Sequence, residues 1–307
     1  MTKNIKYIML LFFLSFNYSC APIMRGLSET TAITYKKKLI TLDIDNRKIK
    51  VIKRQKDVTK HNDLIIFMGV TTFEKTYTVL YPYLKDMNIF VIHTPMHGYD
   101  EEITTGDVIK TADELTDFQV KVVKALVNKG YTTPKVNILG YSMGGMTLIN
   151  ILNKNLLDNE IDKSILLSTN RNIDVIKDAD YLKIFNKMID ENKYNPKYLF
   201  EGSYSEDTPF YVKMISYDAL TTIDEASLAD FNCLRDFERL ANEESLNKIE
   251  KPILYISGEK DQIFHWKEVE KFSKNFPNVT LKKIESGHLG FLERPWQTGE
   301  IIMEYLK

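Results

Sequence analysis

At Gly140-Tyr141-Ser142-Met143-Gly144 a strand must end and a helix must begin within a single turn. The residues before it, Lys-Val-Asn-Ile-Leu at 135–139, read as a short buried strand, and 145–152 read as an apolar helix. A serine held between the two in G-x-S-x-G form has the shape of a nucleophile elbow. The turn is tight enough to strain the serine backbone and to lift its hydroxyl above the sheet edge. Side chains two residues to either side would collide, so glycine stands at both Gly140 and Gly144. The first N–H of the following helix, that of Met143, then points at the carbonyl under attack. The same string also occurs in ordinary glycine-rich strand–helix turns, and the flanking strand and helix are what favour the elbow.

Reading outward, strands and helices alternate. Tyr35–Ile44 and Lys48–Arg54 form a hairpin about Asp45-Asn46, 63–68 a buried strand, 74–84 a helix and 88–93 a strand. Residues 111–129 are amphipathic, with Leu115, Phe118, Val122 and Leu126 on one face. After the elbow come strands at 162–167, 252–257 and 279–284 and helices at 265–275 and 297–306. This pattern specifies an α/β fold, a mostly parallel central sheet with helices on both faces. It breaks at 170–247, a helix-like stretch rich in aromatics such as Tyr181, Phe185, Tyr198 and Phe210, which reads as an inserted helical cap. The expected organisation is a core over 35–169 and 248–307 with the cap at 170–247. Most of the cap aromatics are expected to pack the cap onto the core, and a few to line an apolar pocket.

Residues 1–19 differ in kind. Lys3 and Lys6 precede ten nearly all-apolar residues, Tyr7–Phe16, too few to span a bilayer and suited to a signal-peptide core. Cys20 follows at once, which resembles a bacterial lipoprotein signal, although Asn17 stands where an aliphatic residue is usual. Cleavage after Ala21 competes with this reading. The expectation is export with a lipid anchor at Cys20, and a tether over 20–34. Charge is nearly balanced at −1, which points away from nucleic acid and polybasic membrane binding. Cys20 and Cys233 are the two cysteines. With Cys20 lipidated the fold has no disulfide, and Cys233 reads as packing.

A serine needs a base within reach and a third group to orient that base. In parallel sheets such groups collect just after strands. Of five histidines, His288 meets this condition, following the last strand on a loop with glycine to either side. Asp261 follows the strand at 253–257, and the neighbouring Glu259 competes with it as the acid. The order Ser142, Asp261, His288 results. His93 and His97 are expected to be hydrogen-bonding residues of a loop base, while His61 and His265 are read as surface or helix-start residues. No motif points to a metal or another cofactor.

These pieces resemble the α/β-hydrolase fold family, in its group of esterases and lipases with a helical cap. His93-Thr-Pro-Met-His-Gly98 resembles that family's Asp-x-Pro-Gly-His-Gly loop. Gly258-Glu-Lys-Asp261 and Gly287-His288, followed by Phe291-Leu-Glu-Arg-Pro295, match its acid and base segments. The likeness covers about 60–170 and 245–306. It implies an oxyanion hole built from the main-chain amides of Val70 and Met143, with Thr71 as the rival to Val70 because Met68-Gly69-Val70 lacks the family's usual histidine. It implies hydrolysis of a small-molecule or lipid ester through an acyl-enzyme on Ser142. Acyl transfer, thioester hydrolysis or a non-catalytic surface-binding lipoprotein are the alternatives on the same scaffold.

Overall fold

The computed structural model describes residues 35–55, 62–98, 100–171, 224–243 and 249–307, together with Lys187, Asp190, Glu191, Ser205, Thr208, Lys213 and Leu246. The signal segment, Cys20, the tether, His61 and the cap aromatics named above lie outside these residues.

Alternation of period two along the strands decides the architecture. Along β3 (Asn62–Phe67), Leu64 and Ile66 enter one buried cluster and Ile65 and Phe67 the other. β4 (Met87–Ile92), β5 (Val136–Tyr141), β6 (Ile161–Leu167) and β7 (Ile253–Gly258) divide their residues in the same way. A strand apolar on both faces is stable only when covered on both, each fully buried Leu or Ile contributing about 1.5–3 kcal/mol. With β1 (Lys36–Ile44), β2 (Arg47–Gln55) and β8 (Val279–Ile284), these strands make one eight-stranded sheet of order β1-β2-β4-β3-β5-β6-β7-β8. β2 pairs antiparallel with β1 and with β4, and every other pairing is parallel. The hairpin turn falls on Asp45 and Asn46, whose φ values of 51° and 61° suit a tight turn between twisted strands.

Each face has its own helical cover. α2 (Ala112–Asn128) lays Leu115, Phe118, Val122 and Leu126 on one cluster, as the periodicity predicts. Its start is fixed by Thr111, whose side chain accepts the Glu114 N–H, and by acidic residues in the first turn. α3 (Met143–Asn153) is buried along its whole length on the same face. α6 (Pro295–Leu306) covers the opposite face through Ile302 and Leu306, and α5 (Trp266–Ser273) lies against β7 and β8. Between β6 and β7, where the cap is expected, α4 (Asp224–Glu243) places Phe231, Cys233, Leu234, Phe237 and Leu240 in the α2–α3 cluster. The fold is that of an α/β hydrolase, and α4 is consistent with a helical cap.

One element departs from expectation. The helix expected at 74–84 is a single turn, α1 (Glu74–Tyr77), followed by a separate 3-10 turn at Tyr81–Tyr83. Pro82 has no N–H to bond back to Thr78, so a continuous helix cannot form there.

Candidate active site

β5 carries the chain up to Tyr141, and α3 takes it away from Met143. Ser142, between them, has φ 50° and ψ −119°, a region that non-glycine residues avoid. The surroundings hold that strain in place. The Ser142 N–H donates to Leu167 O at 3.1 Å, and the Ser142 carbonyl accepts from the Gly145 and Met146 N–H groups and from Thr169 Oγ1 at 2.7 Å. At Gly140 a Cβ would stand 2.5 Å from Gly144 O, so only glycine fits.

The loops after β7 and β8 converge on this serine. His288 Nε2 lies 3.1 Å from Ser142 Oγ, and His288 Nδ1 lies 3.1 Å from Asp261 Oδ2. Asp261 Oδ1 is engaged separately, accepting the Ile263 and Phe264 N–H groups at 2.8 and 2.9 Å. One oxygen therefore fixes the carboxylate while the other addresses the imidazole. All three residues are withdrawn from water, at 8 % exposure for Ser142, 2 % for Asp261 and 5 % for His288. Tyr141 and Phe264 stand beside the imidazole, with ring centroids 5.3 and 5.6 Å away. Glu259 takes no part: its side chain is half exposed and pairs with Lys283 Nζ at 2.8 Å. The two loops meet closely at Gly258, where a Cβ would overlap the Gly287 carbonyl. Glu293, fully buried, accepts the Gly287 N–H at 3.1 Å and the Ser205 hydroxyl at 2.7 Å.

The loop after β3 lies against the elbow. The Thr71 N–H is occupied, donating to Asp230 Oδ2 at 2.8 Å. The N–H groups of Val70 and Met143 have no partner among the described residues. The Gly69–Val70 peptide is pinned through its oxygen, which accepts the Thr72 N–H at 3.3 Å and Thr72 Oγ1 at 2.9 Å. Tyr77 OH accepts the Gly69 N–H, and its ring stacks on Phe291 at 4.9 Å. Thr72, Tyr77, Thr169 and Asp230 carry no motif, and sequence reading missed them; Glu293 stands in the Phe291–Pro295 segment of the family likeness, but no role was read for it.

His93 and His97 are hydrogen-bonding residues of the loop base, as expected. His93 Nε2 accepts the Glu74 N–H and Nδ1 bonds Glu102 O, and burial pushes this imidazole down to about 4. His97 Nδ1 meets Thr94 Oγ1 and Pro95 O, and Nε2 lies 3.0 Å from Asp230 Oδ2. Burial works against the charged form of His97, and the Asp230 carboxylate together with the Pro95 and Thr94 backbone outweighs it, holding the pKa above the usual value. His265 stands at the N-cap position of α5 with no side-chain cap bond, and Cys233 is buried, its thiol pointing to the carbonyls of Ile109 and Thr111. Among the described residues no three His, Cys, Asp or Glu side chains gather in a way suited to a metal ion. Nor is any described helix long and apolar enough to cross a membrane.

Comparison with known proteins agrees with this fold. The family model described as alpha/beta hydrolase fold matches residues 69–295. A lipase-esterase related protein from Clostridium acetobutylicum superposes with a TM-score of 0.66 at 19% identity, over 89% of this chain and 99% of that one. A membrane phospholipase A, titled a bacterial virulence factor, superposes with a TM-score of 0.68 at 14% identity, over 100% of this chain and 98% of that one. At such identities the likeness is one of fold. A protein of Cyberlindnera fabianii described as a probable alcohol acetyltransferase is 35% identical over 60 residues, which span 20% of this chain and 16% of that protein.

Proposed function

The chain belongs to the alpha/beta hydrolase fold family, and on that footing we propose that it is a serine hydrolase cleaving carboxylic esters of small or lipid-like molecules. The observation that carries this reading is the imidazole of His288, with one nitrogen 3.1 Å from Ser142 Oγ and the other 3.1 Å from Asp261 Oδ2. In the proposed reaction His288 Nε2 takes the Ser142 proton as Oγ attacks the ester carbonyl, and Asp261 stabilises the imidazolium. The developing oxyanion is held by the N–H groups of Val70 and Met143, both free of partners among the described residues. Collapse returns the proton to the departing alcohol and leaves an acyl group on Ser142. Water, deprotonated by His288, then releases the acid.

Ser142→Ala is expected to lower hydrolysis of p-nitrophenyl esters by at least about a thousandfold and to abolish labelling by a fluorophosphonate. Unchanged turnover in that variant overturns the assignment. Acyl transfer to an alcohol is a second reading, supported by the short match to the acetyltransferase, and product analysis with added alcohols separates the two. For the amino terminus the proposal is export with lipid on Cys20, tested by the mass of the mature chain's first peptide.

A further inference from the structure

α4 reaches the loop after β3 through Asp230. Asp230 is buried, and its Oδ2 is shared: it accepts the Thr71 N–H at 2.8 Å and meets His97 Nε2 at 3.0 Å. His97 Nδ1 meets the Thr94 hydroxyl at 2.8 Å, which can donate to it, and Nε2 faces the carboxylate, so Nε2 is the nitrogen that carries a proton towards Asp230. The carboxylate thus has two N–H donors on one oxygen, from Thr71 and from the His97 ring.

Thr71 needs an outside hold. Its φ is 57°, a left-handed value that costs a β-branched residue about 1–2 kcal/mol. Its Oγ1 is buried with no partner among the described residues, so the side chain does not anchor it. The peptide before it, Val70–Thr71, is held through the Thr71 N–H by Asp230, and the one before that, Gly69–Val70, through its oxygen by Thr72. The second peptide carries the Val70 N–H. Rotation at the first, as Thr71 relaxed to negative φ, would swing the backbone that aims this donor.

We propose that Asp230 is a positioning residue, an acceptor supplied by the inserted helix that fixes the Val70–Thr71 peptide and so keeps the Val70 N–H on the oxyanion. This rests on the serine-hydrolase reading above. It also settles which amide serves: Thr71 is taken by Asp230, which leaves Val70.

The test uses the full chain with Asp230→Ala and Asp230→Asn, with Ser142→Ala in parallel. Competent sites are counted by fluorophosphonate titration, and kcat per titrated site and KM are measured on p-nitrophenyl acetate. Asp230→Ala is expected to lower kcat per site by about 10- to 100-fold, with KM changed less than about threefold. Asp230→Asn keeps an oxygen for the Thr71 N–H and is expected to recover kcat to within about fivefold of the parent. Should Asp230→Ala not fold, the double variant Asp230→Leu/His97→Leu removes the acceptor without stranding a charge, and the same drop is expected. An unchanged kcat per site in the folded variant, or an Asn variant as slow as Ala, overturns the proposal while Ser142→Ala remains inactive. Activity surviving in Ser142→Ala overturns the parent reading, and this one with it.

Discussion

Gly144 packs so tightly against Phe67 that a Cβ on it would overlap the Phe67 carbonyl oxygen. Phe67 ends β3 and leads directly into Met68-Gly69-Val70, while Gly144 belongs to the first turn of α3. This contact sets the spacing between the serine turn and the loop proposed to hold the oxyanion. Gly144→Ala must push the two apart. Overpacking of this kind costs about 1–3 kcal/mol, and we expect Tm to fall by roughly 2–5 °C. The rate of fluorophosphonate labelling should fall at least about a hundredfold. Parent-like labelling at an unchanged Tm would contradict the role given to this contact.

Asp261→Asn separates holding the acid from orienting the base. Oδ1 accepts two backbone N–H groups, so an asparagine keeps its oxygen there and turns its NH2 towards His288 Nδ1. The imidazole must then carry its proton on Nε2, where it can no longer accept the one from Ser142. kcat is expected to fall by about 10³- to 10⁴-fold, with Tm within a few degrees of the parent. A loss smaller than tenfold would move the acid's role elsewhere.

Glu293 is expected to matter through the loop of His288. Its carboxylate is the acceptor for the buried Gly287 N–H and the Ser205 hydroxyl. Glu293→Ala leaves that N–H without a partner, at a cost of about 1–3 kcal/mol. We expect a lower Tm and a slower kcat, with Glu293→Gln restoring most of both because it keeps an acceptor in place. Equal damage from Ala and Gln would point to the charge rather than to the hydrogen bonds.

The legible parts of this molecule are those whose cause is local in the chain. The elbow reads from five residues because sterics demand its glycines. Asp261 and His288 read from their positions just after strands, and the sheet reads from apolar runs such as 63–68. Pro82 was visible too, and the helix expected across it forms as two short turns for the reason a proline always gives. Asp230 was not legible. Its partners Thr71 and His97 lie more than a hundred residues away, and nothing in α4 distinguishes that acid from Asp236, whose carboxylate instead accepts the Ala112 N–H. Glu293 stands in a segment of the family likeness, but its pairing with the Gly287 N–H and the Ser205 hydroxyl was not legible. Pairings of this kind arise when separate segments meet, so only the assembled fold shows them.

Buried His93 and His97 should give stability a dependence on pH with opposite signs. His93 is lowered from 6.5 to about 4, first by burial, with the charges of His97 and Lys37 adding to it and Glu102 O and Glu74 opposing. Below about 6.5 the unfolded chain binds a proton there that the native state refuses. Stability is therefore present above that pH and is lost as pH falls towards 4, by about 3 kcal/mol in all. His97 is raised by Asp230, so its contribution is complete below its unfolded value and is lost as pH climbs through the raised one. Calorimetric Tm measured from pH 4 to 9 should thus fall on both sides. His93→Gln is expected to flatten the acid side alone, and His97→Gln the other side alone. An acid slope that survives unchanged in His93→Gln would assign it to other groups.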